Sequence, residues 1–448
     1  MLYEEALKYL YSFLNYEVHT DYSYRRDLNL KRMVFLMNLF GNPHEKIPYV
    51  LVGGTKGKGS TAYLLSTILK ESGYRVGLYT SPHLKDPRER IRVSGEKISK
   101  QDFVAVLGEI QGRLLKNPPP SFLGQITFFE LFTTAMFLHF AGSKLDLGIL
   151  EVGLGGRLDA TNIVNPLVSI LTPISYDHQD KLGHTLREIA REKIPIVKTG
   201  SCLVSSRQVH GVQNFFRDWA RQKRVKAFFL GQEFQTQIKK NTDQGSAFDL
   251  LIEQDWTRDL FVSLPGRFQV ENAACAVCAA KVLNKSSAFR IDEQSIRRAL
   301  HTASWPGRFE VVGRDPLVVL DGAHNGASFR ALRESVEELF PERAVTMILA
   351  LLRDKDFPRI IREVSRFHLK RLIVTEVKNP RAFPCEKLVA KIRRHISNVE
   401  QSPTLKEAIE LVLQSRNAQD LFLITGSLFL VGEAQNLFEV TPHLAQVA

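Results

Sequence analysis

Residues 51–61, LVGGTKGKGST, decide how this chain of 448 residues is read. A standard phosphate-binding loop runs G-x-x-x-x-G-K-[ST], but here Val52 stands at the first glycine position and Gly59 separates Lys58 from Ser60. The flanks carry the argument further than the motif does. KIPYVLVGG (46–54) is a short β-rich run ending in glycines. STAYLLSTILKESGY (60–74) places Leu64, Leu65, Ile68 and Leu69 on one helical face. The loop therefore joins a strand to a helix N-terminus, where unpaired backbone N–H groups and the positive end of the helix dipole attract phosphate oxygens. Glycines let the backbone approach closely and Lys58 adds a mobile cation; a glycine-rich turn without ligand is the alternative.

Working outward, RVGLYTS (75–81) reads as the next strand of a β-α-β unit and runs into SPHLKDPRERIRVSG (81–95). This stretch is expected to stay irregular, and it holds His83, Arg88, Glu89, Arg90 and Arg92, more charge than a plain connection requires. TFFELFTTAMFLHFAG (127–142) is a buried helix, and KLDLGILEVGLGGRLDATN (144–162) is a strand ending at Glu151 before a glycine-rich loop. PLVSILTPIS (166–175) is a further strand, ending just before Tyr176, Asp177 and His178. Successive strand ends thus deliver Ser60, Glu151 and His178, of which the hydroxyl and the carboxylate suit magnesium and the imidazole is a less usual partner. TLREIAREKIPIVKTG (185–200) is a helix presenting Lys193 near its end and cut short by Pro195.

Composition limits the function classes. Hydrophobic residues make up 44% and charged residues 24%, within the globular range, and no apolar run reaches transmembrane length. The acidic N-terminal stretch MLYEEALKYLYSFLNYE is unlike a signal peptide, so a cytoplasmic protein is expected. Four cysteines do not make a disulfide framework. Cys275 and Cys278 form a C-x-x-C within NAACAVCAA, but zinc needs four ligands and no second pair stands nearby, so small residues packed on a helix are the better reading. The net charge of +12 suits anionic ligands, while basic stretches such as HLKRL and KIRRHI lack interleaved aromatics and read as solvated faces. From about residue 304 a second alternating series begins: PLVVLDGAHN, a helix with Phe329, Leu332, Val336 and Leu339 on one face, then TMILALL, RLIVTEV and LFLITGS.

These motifs together resemble the folylpolyglutamate synthase/dihydrofolate synthase family of the muramyl-ligase superfamily. The matches are GTKGKGST, SPHL with ERIRV, LEVGLGGRLDATN, the DH of YDHQ, AREK, LPGR with QVEN, WPGRFEV, LDGAHN, DKD and TGSLFLVGE, in the family's order from about residue 50 to 433. The inserted Gly59 belongs to that family's loop. The resemblance implies an α/β fold with an N-terminal P-loop ATPase-like domain on a parallel-rich sheet (1–303) and a smaller C-terminal Rossmann-like α/β domain (304–448) that closes over nucleotide and binds glutamate. It implies ATP-dependent ligation of L-glutamate to reduced folates and to dihydropteroate through an acyl phosphate.

Residue by residue, the resemblance puts Gly54, Thr55, Gly57, Lys58, Gly59, Ser60 and Thr61 on the ATP phosphates, with Lys58 on the β/γ-phosphates. It puts Ser60, Glu151 and His178 on two Mg2+ sites, and Lys193 at the position the family carries as a carbamate. Unmodified, Lys193 would be a lysine ion-paired with Glu192. Asn272 and Arg308 fall on the adenine or phosphates, Asp321 on the ribose, His324 near the nucleotide and Ser427 near the incoming glutamate. The loop with Ser81, His83 and Arg90 would cover the folate. The catalytic set is Lys58, His178 and Lys193, and small-molecule substrates, a monomer, no nucleic acid and no membrane are expected. Three departures stand out: Lys56 for the loop asparagine, Ile194-Pro195 for Ala-Gly, and Gly326 for proline. Another ligase of the superfamily, joining amino acids to a cell-wall precursor, and a nucleic-acid-stimulated P-loop ATPase are the rival functions.

Overall fold

The computed structural model describes residues 1–19, 21–285, 288–414 and 419–440. The chain divides into two compact units. The first comprises Met1–Gln237, Phe248–Phe261 and Gln269–Ala303, and the second Ile238–Ala247, Val262–Phe268 and Ser304–Ala448. Two short segments upstream of residue 303 therefore group with the C-terminal part, which no periodicity in the sequence announces.

The first unit is built on eight strands: β1 (Tyr49–Gly53), β2 (Val76–Tyr79), β3 (Ile91–Val93), β4 (Glu96–Lys97), β5 (Leu147–Glu151), β6 (Pro166–Leu171), β7 (Cys202–Ser205) and β8 (Lys226–Phe229). Their order is β4-β3-β2-β5-β1-β6-β7-β8. β2, β5, β1, β6, β7 and β8 run parallel, and β3 and β4 add antiparallel pairings at the edge. All five residues of β1 and of β5 are buried, as expected of parallel strands covered on both faces. The edge hairpin corrects the expectation that 81–95 is irregular throughout. Ser94 (φ 49°) and Gly95 (φ 92°) form a two-residue turn with both residues left-handed, the geometry that matches the twist of paired strands.

Helices cover this sheet. Lys58–Glu71 follows β1 and buries Leu64, Leu65, Ile68 and Leu69 completely. Phe128–Gly142 begins at a capping box in which Glu130 N–H donates to Thr127 Oγ1 (3.2 Å) and Thr127 N–H to Glu130 Oε2 (2.8 Å). Its Glu130 carboxylate also receives the buried Arg32 guanidinium at 2.8 Å. In the helix Arg267–Lys285 the run Ala273–Ala280 is wholly buried, and Cys275 and Cys278 lie in that run as small core residues whose thiols burial pushes up.

A three-stranded sheet, β9 (Phe234–Thr242), β10 (Gly245–Ile252) and β11 (Asp255–Val262), follows in the chain. The second unit holds β12 (Glu310–Arg314), β13 (Leu317–Asp321), β14 (Ala344–Leu349), β15 (Leu369–Val374), β16 (Val399–Gln401) and β17 (Asp420–Thr425), in the order β12-β13-β17-β14-β15-β16. Only β12 is antiparallel to its neighbour. The helix Gly326–Leu339 packs the expected Phe329, Leu332 and Val336 into this unit's core, with Leu339 at the margin. Both units are thus α/β, with the larger sheet first.

Candidate active site

In the first sheet β1 lies between β5 and β6, while the chain leaves β1 through a helix to reach β2 on the far side of β5. Such a reversal opens a crevice at the C-terminal strand ends, where open parallel sheets bind ligands. The register sets Val52 of β1 beside Glu151 of β5 and Gly53 beside Leu171 of β6. The motifs at these strand ends are therefore neighbours because of the strand order.

Glycine is required twice in the loop after β1. At Gly54 (φ 132°) a Cβ would sit 2.0 Å from Thr172 Oγ1, and at Gly57 (φ 80°) it would sit 2.3 Å from Asn272 Oδ1. Gly57 caps the helix and Lys58 is its first residue, so Gly59 is absorbed into the first helical turn, followed by buried Ser60 and Thr61. Thr61 Oγ1 donates to Asn272 Oδ1 (3.4 Å), and Asn272 Nδ2 donates to Gln269 Oε1 (2.9 Å), which fixes the amide against the loop. Lys58 Nζ lies 3.5 Å from the Thr55 carbonyl oxygen it donates to. This leaves a helix N-terminus with free backbone N–H groups and a lysine beside it.

Lys193 ends the helix Leu186–Lys193 and is 5% exposed. Its Nζ donates to the Gly54 carbonyl at 2.9 Å, tying the AREK helix to the loop. Burial, with the nearby Lys58 charge adding, lowers its pKa to about 7. Glu192 does not pair with it: that carboxylate holds Arg157 at 2.8 Å and Arg25 at 3.5 Å. Pro195 follows in a 3-10 turn, Ile194–Ile196, whose two isoleucines are fully buried, so the chain turns without diverting Lys193 from Gly54.

Glu151 is buried, and its Oε2 accepts from the Ser81 N–H at 3.0 Å, so the end of β5 holds the end of β2. His178 adopts a left-handed backbone (φ 48°) at the start of the short helix Gln179–Leu182, and its N–H donates to Asp177 Oδ1 at 3.0 Å. Ser60, Glu151 and His178 all belong to segments leaving the ends of adjacent strands. Among the described residues no three His, Cys, Asp or Glu side chains converge as a ready metal cage.

His83 and Arg90 turn inward. Arg90 Nε donates to His83 Nδ1 (3.0 Å), its two terminal nitrogens grip Glu17 (2.7 and 2.5 Å), and its guanidinium lies 5.3 Å from the Phe128 and Phe132 ring centroids. Burial, then the Arg90 charge, drives the His83 pKa down to about 3, so the ring is neutral and accepts. These two side chains brace the loop from within. Glu89 orders its other end by accepting from the N–H groups of Leu84, Lys85 and Asp86.

In the second unit, Asp321 ends β13 beside Thr425 of β17. Its oxygens accept from Phe309 N–H (2.9 Å) and Ala323 N–H (2.8 Å), and burial raises its pKa against the lowering effect of Arg308. Arg308 is close enough that a Cβ on Gly322 would lie 2.6 Å from its Nη1. The His324 ring nitrogen Nδ1 is 2.8 Å from Gly322 O. Ser427, also buried, accepts from Phe429 N–H at 3.1 Å at the start of the helix Leu428–Val440. The proline absent at 326 also has an account: a Cβ there would meet Arg359 Cβ at 2.8 Å.

Sequence reasoning passed over several residues that build this site. Glu17, the partner of Arg90, stands 73 positions away with no local signal. Asp159 lay inside a quoted motif without a role; it accepts from Leu154 N–H (2.9 Å), Thr161 N–H (3.0 Å) and the Thr161 hydroxyl (2.6 Å), folding the glycine-rich loop after β5 around itself.

Residues 52–280 match the Mur ligase middle domain and residues 307–428 the Mur ligase glutamate ligase domain. The chain is 33% identical over 405 residues to the dihydrofolate synthase/folylpolyglutamate synthase of Bacillus subtilis, covering 90% of this chain and 93% of that protein. Among solved structures, the Mycobacterium tuberculosis folylpolyglutamate synthase complexed with ADP aligns at a TM-score of 0.88 and 28% identity, over 97% of this chain and 98% of that one. A folylpolyglutamate synthase with AMPPCP and folate aligns at a TM-score of 0.84 and 28% identity, over 98% of this chain and 100% of that one. A chain that carries both Mur ligase domains and is 33% identical to such an enzyme over nine-tenths of its length belongs to the dihydrofolate synthase/folylpolyglutamate synthase family of Mur ligases.

Proposed function

We infer that this chain is an ATP-dependent amide-forming ligase that joins L-glutamate to reduced folates, and to dihydropteroate as well. The observation that carries the reading is the loop 53–61 at a helix N-terminus, with Lys193 buried against its Gly54 carbonyl and the ends of β5 and β6 beside it. A carboxylate is a poor electrophile, so ATP first transfers its γ-phosphoryl group to the substrate carboxylate. The glutamate amine then attacks the acyl phosphate, an amide bond forms and phosphate leaves. The protein's part is to position charge and to neutralise it.

In this reading Lys58 and the N–H groups of Gly57 to Ser60 hold the phosphates, Asn272 and Arg308 meet the adenine or the phosphates, Asp321 meets the ribose and His324 lies near the nucleotide. Ser427 approaches the incoming glutamate, and the loop from Ser81 to Arg90, braced by His83, Arg90 and Glu17, covers the folate. Magnesium would be held by Ser60, Glu151 and His178. Two of these are hard oxygen donors, which suit an ion that keeps water and phosphate ligands. Bound there, magnesium neutralises phosphate charge; two such ions are proposed. Lys193 is proposed to be a carbamate: its amine is buried, and its lowered pKa supplies the neutral form that adds carbon dioxide and releases a proton.

No helix among the described residues is long and apolar enough to cross a membrane. Cys202, Cys275, Cys278 and Cys385 are all free thiols, which supports the cytoplasm as the compartment. A monomer acting on small molecules is the proposed working form. The deciding experiment measures phosphate release from ATP with glutamate, supplying dihydropteroate and tetrahydrofolate separately. Release that requires glutamate and either pteridine is expected; no glutamate-dependent release with either would overturn the reading.

A further inference from the structure

The segment between β6 and His178 is gripped from both sides by side chains. Past the last pairing of β1 with β6, the ladder continues: Thr172 N–H donates to Gly53 O (2.9 Å) and Thr55 N–H donates to Pro173 O (3.0 Å). The Thr55 hydroxyl then takes over from the backbone. It accepts from Ser175 N–H (3.1 Å) and donates to Ser175 O (3.2 Å), so one side chain serves both backbone groups of one residue. From the β7 side, the Gln208 amide holds three residues of this stretch. Its Oε1 accepts from Ile174 N–H (2.9 Å), and its Nε2 donates to Thr172 O (3.1 Å) and Leu171 O (3.4 Å). Residues 172–175 are thus held in place immediately before Asp177 and His178, and the Thr55 half of the grip comes from the phosphate loop itself.

We propose that Thr55 and Gln208 are positioning residues that lock the Asp177–His178 segment to the phosphate loop, so that the proposed metal ligand His178 is set at a fixed place relative to Lys58 and Ser60. The inference rests on the assignment of His178 to magnesium made above. A hydroxyl that spans both groups of Ser175 has no substitute in a strand ladder, and an error of an ångström in the placing of a catalytic group costs about a hundredfold in rate. Thr55→Val keeps the shape and removes the bridge, whereas Thr55→Ser restores it.

The test measures ADP affinity by calorimetry in EDTA and in Mg2+ for wild type, Thr55→Val, Thr55→Ser, Gln208→Met and His178→Ala, with kcat and the KM for tetrahydrofolate alongside. For Thr55→Val the enhancement of ADP affinity by Mg2+ falls about tenfold, and kcat falls at least as much while the folate KM holds. Gln208 is not placed on the nucleotide, so Gln208→Met shows the same losses more weakly with its metal-free ADP affinity within about twofold of wild type, and Thr55→Ser returns to near wild type. An enhancement and kcat within about threefold of wild type in Thr55→Val, or a loss of metal-free ADP binding in Gln208→Met, would overturn the lock. If His178→Ala diminishes the enhancement and Thr55→Val does not, the lock alone fails. If His178→Ala leaves it intact, the metal assignment fails and the lock with it.

Discussion

Lys193 offers the sharpest quantitative test, because burial leaves a signature in stability as well as in chemistry. Its pKa falls from 10.5 to about 7 in the folded chain. The unfolded chain therefore keeps the proton up to about pH 10.5, the folded chain only up to about pH 7, and stability rises between those values by up to about 1.4 kcal/mol per pH unit. Below neutral pH the buried ammonium costs the fold about 5 kcal/mol at most, a figure that relaxation and penetrating water will reduce. Lys193→Met removes the ion and keeps most of the volume, at the loss of one hydrogen bond to Gly54 O worth about 1 kcal/mol. In carbon dioxide-free buffer without metal, the variant's denaturant midpoint should therefore lie above that of wild type at neutral pH, and the gap should close as pH rises toward 10. The same shift makes the amine reactive: about half is neutral at pH 7, against about 0.03% for an ordinary lysine. Carbon NMR with isotopically labelled bicarbonate should then show a carbamate signal in wild type with ADP and Mg2+ that is missing from Lys193→Met, and ligation should be lost with it. Identical pH slopes in the two proteins would refute the buried-amine argument. A correct slope without the carbamate signal would refute the modification alone.

Lys58→Ala should cut kcat by at least about a hundredfold with little change in thermal midpoint, since the side chain contributes charge to the loop and little to the core; near-normal turnover by a folded variant would sink the phosphate assignment. Arg308→Ala should weaken ATP binding, measured by calorimetry, more than it weakens folate binding, and equal losses would count against its place on the nucleotide. Glu17→Ala should destabilise the chain by about 3 kcal/mol by leaving the Arg90 guanidinium buried and uncompensated, visible as a lower denaturant midpoint, with Glu17→Gln intermediate; unchanged stability would mean that Arg90 is not held by this pair.

What could be read from the sequence, and what could not, divides along the range of the interactions. The strand, loop and helix across 46–74 were legible because each element announces itself locally: an apolar run for β1, glycines where the backbone needs positive φ, and a 3.6-residue period for the helix. The hairpin Ile91–Glu96 had a local signal too, Ser94-Gly95 between short strands, but the density of charge around it drew the eye to a binding loop. Arg90 shows the cost of reading charge that way. Its carboxylate partner lies 73 residues upstream, and no pattern in 81–95 distinguishes an arginine that faces a ligand from one that is walled in by Glu17, Phe128 and Phe132. The departures at 194–195 and 326 were equally opaque for the same reason. Whether Pro195 diverts Lys193 depends on Ile194 and Ile196 finding the core, and whether position 326 accepts a Cβ depends on Arg359, 33 residues on. Lys193 completes the point. That it is a lysine at a helix end is written in AREK, but its lowered pKa comes from burial against Gly54, a residue 139 positions away that is brought there by the placing of β1 next to β6. The chemistry of the site is therefore a property of strand order, and a substitution that shifted the register of β1 on β6 would alter the Lys193 amine without touching any residue of the motifs.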